Sequence, residues 1–565
     1  MQAHPHRRRA IAWRLLLAAA AFSLATFLLH YFDSVASTAT SARPIIVPPR
    51  RRPVSTLRAI KAITIPDSGG QSPVEVEQAP AAILLPDWEV LVLLHPADQG
   101  IGSSNATCAF PGGSSSPARA LGRLPSSSSS SGGRLAYTCV MPRPVRRRQP
   151  FPAPRLITGD ADQVDSGSVE MLRWRGRLVY HAVALDGGDV LVFAKGVNQR
   201  QGVNRKDVRC VYYGINDGVQ LGAVTSAQQV FRCPPPPSLS SSSSASAEVR
   251  VTLAVAGEDP VPSMATYSRP AAIPSPSNEK KVTICACTMV RDVAKFLREW
   301  VVYHAAVGVD RFFLYDNGSG DDLADQVGQL RSAGYDVSVQ AWPWPKTQEA
   351  GFSYAAAAHR DSCEWMAFID VDEFIVSPSW AKSRKPTPRM LRSLVAAVDP
   401  DVGQVTLGCK DFGPSGRTMH PQEGVTQGYT CRRRGEERHK SLVRLDAVHP
   451  SLLNSVHHFE LRPEFRWERS GRARVNHYKY QAWDEFKVKF RRRVSTYVAD
   501  WTDTVNPGSK DRTPGLGFSP VEPAGWPHKF CEVEDTLLRD LTRKWFGVGF
   551  TNNQLPPPHT TSSSS

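Results

Sequence analysis

The chain has 565 residues, enough for about two to four domains, and 41% of them are hydrophobic, so it can bury a substantial core. Sixty-eight basic against 53 acidic side chains leave a net charge of +15, which favours a polyanionic partner: nucleic acid, an acidic membrane surface or an acidic polysaccharide. Forty-five prolines and long serine runs exclude one continuous fold and set part of the chain aside as linker.

The N-terminus chooses among these partners. Residues 1–10 carry Arg7, Arg8 and Arg9, and residues 11–32 run apolar with one interior charge, Arg14, which can snorkel to the interface. The small residues suited to a cleavage site (Ser37, Thr38, Ala39) lie beyond a long apolar core, so 11–32 reads as an uncleaved transmembrane signal anchor rather than a cleaved signal peptide. Basic residues on the short side predict a cytosolic tail and a lumenal remainder, a single-pass type II protein attached to the membrane by one helix. A lumenal, anchored, basic protein has no nucleic acid as its natural partner, which leaves an acidic glycan. The lumen also lets the ten cysteines form disulfides; none has zinc-finger spacing. It makes the Asn105-Ala-Thr sequon usable for glycosylation.

Residues 33–80 are rich in Pro, Ser, Thr and Arg and read as a disordered stem. From 81 to 265, short Val-, Tyr- and Leu-rich runs separated by turn residues predict an antiparallel β-sandwich, clipped by Cys108, Cys139, Cys210 and Cys233. Trp88, Trp174 and Tyr180 are its candidate exposed rings. "RPAAIPSPSNEKK" is a linker. The pattern then changes to alternation. "VTICACTMV" (282–290) is a buried strand, and Val293, Phe296, Leu297, Trp300, Val301 and His304 follow at helical spacing. "DRFFLYDNGSGDD" is strand then loop, 323–333 a helix, "DVSVQAW" a strand, "QEAGFSYAAAAHRDSC" a helix and "WMAFIDVDEF" a strand. Such alternation implies an α/β, mostly parallel, doubly wound sheet that binds ligands beyond the carboxyl ends of its strands. A polar tail, 553–565, reads as disordered.

Asp316 and Asp370 sit at those ends. Asp370 and Asp372 are two apart on a segment read as extended, so their carboxylates point to one side and form a hard-oxygen site for Mn²⁺ or Mg²⁺. Asp160/Asp162 repeats the spacing in a polar loop and Asp399/Asp401 in a turn, without a buried strand leading in.

"TMVRD…FLREWVVYHAAVGVDRFFLYDNGSGDD", "EWMAFIDVDEFI", "CKDFGPSGR", "CRRRGEERHKSLVR" and "RVNHYKY", in this order, resemble glycosyltransferase family 92 over about 281–545, and within it the plant β-1,4-galactan synthases. The resemblance implies a GT-A (Rossmann-like) catalytic domain, a divalent cation, a UDP-sugar donor (UDP-galactose for the galactan synthases), inversion at the anomeric carbon, a Golgi location and an N-terminal carbohydrate-binding-like module. Asp292 departs from the Asn-Glu pair expected there. The resemblance also makes His477 a late metal ligand beside Asp370 and Asp372. Asp316 is a candidate for uridine, Arg291 for base or phosphate, Asp370 for the donor as well as the metal, and Lys440 for the diphosphate. Trp342 and Trp344 could form a sugar-stacking platform for the acceptor, and Arg432–Arg434 and Arg491–Arg493 could attract a pectic or other acidic glycan. The acceptor hydroxyl needs a base within hydrogen-bond reach, with Asp411 preferred and Glu423 and Glu373 as alternatives. Asn317-Gly-Ser319 also matches a sequon but is expected unmodified beside the nucleotide. A homodimer stays open. The rival readings are an anchored glycan-binding or scaffold protein with an inactive transferase domain, and a metal-dependent hydrolase of UDP-sugars.

Overall fold

A computed structural model describes residues 82–94, 106–126, 133–147, 149–158, 170–185, 188–198, 205–213, 219–236, 248–268, 280–455, 457–489 and 522–549. The expected tail, anchor and stem (1–80), Asn105, Arg491–Arg493 and the polar tail 553–565 lie outside them. Among the described residues no helix is long and apolar enough to cross a membrane.

The C-terminal region centres on one nine-stranded sheet. Numbering only its strands and the longer helices, the chain runs β1 (Val282–Val290), α1 (Ala294–Val307), β2 (Arg311–Asp316), α2 (Leu323–Ser332), β3 (Val337–Ala341), α3 (Gln348–Ala358), β4 (Cys363–Phe368) and β5 (Glu373–Val376). It continues with α4 (Arg389–Ala396), β6 (Val402–Asp411), β7 (His439–Arg444), β8 (Arg466–Arg469), β9 (Arg474–His477) and α5 (Leu537–Phe546). The strand order is β3-β2-β1-β4-β7-β6-β9-β5, with β8 paired to β6. β1 to β4 are mutually parallel, as the alternation predicts; beyond β4 the sheet becomes mixed, with β7 antiparallel to both β4 and β6. The predicted strand "WMAFIDVDEF" is broken: β4 lies mid-sheet, while β5 lies at the far edge against β9.

β1 shows why its run is continuously apolar. Ile284, Ala286 and Val290 enter a core with Leu297, Trp300 and Val301 of α1 and Val327 and Leu330 of α2. Cys285 and Cys287 alternate into a second core with Phe352 and Ala355 of α3. Gly308 ends α1 at φ +129°, and any Cβ there would strike the Pro388 carbonyl oxygen.

That second core does not stop at the C-terminal region. It also contains Leu91, Leu93, Trp174, Tyr180 and Phe193 from the β-rich region. The β-rich region is not the single sandwich expected. It comprises a seven-stranded sheet, with one parallel pair (Ala82–Leu84 with Leu172–Arg173), and two four-stranded sheets that share a core of their own. Cys210–Cys233 joins those two smaller sheets, Cys108–Cys139 lies within the large one, and Cys285–Cys363 ties β1 to β4. Cys431 pairs with Cys531, leaving Cys287 and Cys409 as buried free thiols.

Candidate active site

Beyond Phe368 the chain turns. Glu373 N–H donates to the Asp370 carbonyl at 2.9 Å, and Asp370 N–H donates to Glu373 Oε2 at 2.9 Å. Asp370-Val371-Asp372 is therefore a turn and not an extended segment, so strand alternation does not bring its two carboxylates to one side. Asp370 accepts from Lys440 Nζ at 2.9 Å and from Gln348 Nε2 at 3.1 Å. Asp372 groups instead with Glu373 and His477, one ligand-capable atom from each lying within 4.8 Å of the others. Among the described residues the donor atoms close enough to share a cation are those of Asp372, Glu373 and His477; Asp370, expected beside Asp372 and His477, does not join them.

Sheet register builds this cluster. On adjacent strands, Glu373 of β5 pairs with His477 of β9, and His477 pairs with Asp411 at the end of β6. The side chains follow the register. His477 Nδ1 lies 3.0 Å from Asp411 Oδ1 and 3.7 Å from Glu373 Oε1, while its Nε2 lies 3.4 Å from Asp372 Oδ2. Glu373 Oε1 is buried with no hydrogen-bond donor, and the Lys489 ammonium contacts Asp372. Two carboxylates, one of them with an orphaned buried oxygen, and an imidazole form a donor set that suits Mn²⁺ or Mg²⁺.

The electrostatics separate the carboxylates. Burial pushes the Glu373 carboxyl up and outweighs the opposing pull of the Lys440 ammonium. For Asp411 burial also pushes upward, but the His477 hydrogen bond and charge, with Lys479 at 2.8 Å, win and hold it well below the usual carboxylate range. Burial alone would lower Lys440; Asp370 and Glu373, each 2.9 Å from its Nζ, raise it instead. Lys440, the residue expected at the diphosphate, is thus paired with two carboxylates of its own chain.

The base candidates fare accordingly. Asp411 is 1% exposed, engaged at both oxygens and held strongly ionised, which suits orienting His477 and not accepting a proton. Glu373 is fully buried, and Glu423 pairs with Arg417 at 2.6 Å.

Two loops flank the carboxyl ends of β1 and β2. Burial raises the Asp316 carboxyl, which accepts from Ser319 N–H at 2.8 Å. Asp292, at φ +49°, accepts from Gly320 N–H at 2.5 Å, so this departure from the family pattern still ties the first loop to the second. Arg291 pairs with Glu89 of the β-rich region at 3.4 Å. The Asn317 amide nitrogen donates to the Trp342 and Trp344 carbonyls at 2.7 and 3.0 Å, which occupies the atom a glycan would need.

Trp342 and Trp344 are not an acceptor platform. Both are fully buried, Trp344 stacking on Trp174 at 6.0 Å and lying 5.1 Å from Tyr180, while Trp342 meets Phe193 at 5.4 Å. Tyr180 and Trp174 are buried with them, so of the three rings expected to face glycan only Trp88 is exposed, at 38%. Sequence reasoning missed Gln348, Lys479 and Lys489. Lys479 alone carried a signal, two residues after His477.

Against this geometry stand the relatives. A glycosyltransferase family 92 protein of Oryza sativa subsp. japonica is 41% identical over 426 residues, 71% of either chain. The chain belongs to glycosyltransferase family 92. The family's sequence model matches residues 280–511. A family 92 protein of Ricinus communis is 44% identical over 384 residues, 65% of this chain and 66% of its own. Family membership makes the chain a glycosyltransferase by class. Among solved structures, a mannosyltransferase from Pyrobaculum calidifontis in complex with GDP-Man and Mn²⁺ is 14% identical over 24% of this chain and 37% of its own, with a TM-score of 0.18, too little overlap to carry an argument.

Proposed function

We propose that this family 92 member is a metal-dependent hexosyltransferase of GT-A fold that moves galactose from UDP-galactose onto a β-1,4-galactan side chain of pectin, with inversion. It works as a single-pass type II protein of the Golgi membrane with its catalytic region in the lumen. The observation that carries the reading is the Asp372–Glu373–His477 cluster, with its orphaned Glu373 Oε1, in a chain of this family. Asp372, Glu373 and His477 would hold Mn²⁺ or Mg²⁺, which when bound supplies positive charge against the leaving diphosphate. Asp411 fixes His477 by taking its Nδ1 side, leaving Nε2 toward Asp372. Lys440 holds Asp370 and Glu373 together, and Gln348 holds Asp370 from α3. Asp316, at the end of β2, would accept hydrogen bonds from uridine. The basic balance of the chain suits an acidic pectic acceptor.

The test is UDP release by the purified protein over a panel of UDP-sugars, with and without galactan oligosaccharides, in Mn²⁺ and in chelator. Acceptor-dependent, chelator-sensitive release from UDP-galactose supports the reading. Acceptor-independent release indicates a hydrolase, and none with any donor an inactive scaffold.

A further inference from the structure

The β2 loop is gripped from outside its own region. Arg119, on the strand Ser114–Arg123 of the β-rich region, donates through Nη1 to the Ser319 carbonyl and through Nη2 to the Gly318 carbonyl at 3.3 Å. A trans peptide points its C=O and N–H in opposite directions. The N–H opposite the Gly318 carbonyl is that of Ser319, which holds Asp316 Oδ1 at 2.8 Å. The N–H opposite the Ser319 carbonyl is that of Gly320, which holds Asp292 Oδ1 at 2.5 Å. One guanidinium therefore clamps two consecutive peptide units on their carbonyl side, while two carboxylates take them on their N–H side.

We propose that Arg119 is a positioning residue of the donor pocket, through which the β-rich region sets the placement of Asp316. Hydrogen bonds in such a chain polarise one another, cation to carbonyl and N–H to carboxylate, so the guanidinium strengthens the hold on Asp316 without touching it. Asp316 is in turn influenced by the Arg119 charge. The strand that presents Arg119 is fixed: Leu121, two residues on, packs on the core shared by the two regions. The first loop has a similar tie, through Arg291 and Glu89. The β-rich region is thus part of the nucleotide machinery. This rests on the reading of Asp316 as a uridine ligand.

The experiment measures UDP affinity by calorimetry, in Mn²⁺, on the detergent-solubilised full chain and its Arg119→Ala, Arg119→Lys, Asp316→Asn and Arg119→Ala/Asp316→Asn variants, with thermal midpoints recorded alongside. Arg119→Ala is expected to weaken UDP about tenfold, the effect of losing a charge-assisted pair. Arg119→Lys should recover only part, because an ammonium lacks the planar fork that bridges two carbonyls. Since Arg119 acts through Asp316, adding its substitution to Asp316→Asn should weaken binding less than about twofold further. Should Arg119→Ala fail to fold, Arg119→Lys carries the test. Wild-type UDP affinity in every folded Arg119 variant, with or without a lower thermal midpoint, overturns the proposal and makes Arg119 a fastener between regions. If Asp316→Asn leaves UDP affinity unchanged, the donor-site reading itself fails, and this inference with it.

Discussion

Asp411→Asn separates two roles for a site carboxylate that is held well below the usual carboxylate range. The side chain is 1% exposed, 3.0 Å from His477 Nδ1 and 2.8 Å from Lys479 Nζ. Asn keeps volume and one acceptor oxygen but removes the charge that fixes the imidazole and compensates Lys479. Partners of metal-ligating histidines are worth about 10–100-fold in metal affinity, so Mn²⁺ should bind the variant weaker by that factor. Stability near pH 7 should fall by about 3 kcal/mol, the low end for breaking a buried pair, because the Lys479 side chain remains 25% exposed. The pH dependence has a definite sign. A carboxyl held well below its unfolded value contributes stability that is complete above about pH 4 and is lost as pH falls toward the depressed folded value. The gap between wild type and variant should therefore hold from neutral pH down to about pH 4 and narrow below it. Urea denaturation across pH and Mn²⁺ calorimetry with UDP are the assays. A general base predicts another pattern, unchanged Mn²⁺ affinity with turnover reduced about 10²–10⁴-fold. That pattern would refute the positioning argument and restore Asp411 as the base.

Glu373→Gln should abolish the rise in thermal midpoint that Mn²⁺ gives the wild type, about 2.7 kcal/mol of stabilisation at a hundred times Kd; an undiminished rise would remove Glu373 from the metal site. Trp344→Ala, at a fully buried ring, should destabilise by about 3–5 kcal/mol while leaving the acceptor KM of the folded fraction unchanged, and a selective rise in that KM would reinstate the stacking platform. Deleting residues 82–257 exposes the shared core, so transfer to short and long galactans should fall together with solubility; loss confined to long chains would show a detachable binding module. Protease treatment of intact microsomes should spare the catalytic region if 11–32 spans the membrane as expected, and digestion from the cytosolic side would reverse that topology.

Elements legible in the sequence are those written in local period. The run 282–290 is β1 residue for residue, α1 and α2 fall within a few residues of their expected bounds, α3 starts as expected but ends at Ala358 with Cys363 already in β4, and the acidic motif does follow a buried strand. These follow from side-chain alternation and helical spacing, which need only near neighbours. What failed needed distant ones. Asp370-Val371-Asp372 turns because Glu373 bonds back to Asp370, and Glu373 meets His477 and Asp411 only through the register of β5, β9 and β6, strands separated by many residues in the chain. Trp342 and Trp344 read equally well as a sugar platform or a core, since an aromatic ring offers the same face to a pyranose as to another ring. Their burial was decided when the β-rich region covered the second face of the sheet. The residue types came from the sequence; which of them stand together, Glu373 beside His477 and His477 beside Asp411, was decided by strand pairing across the sheet.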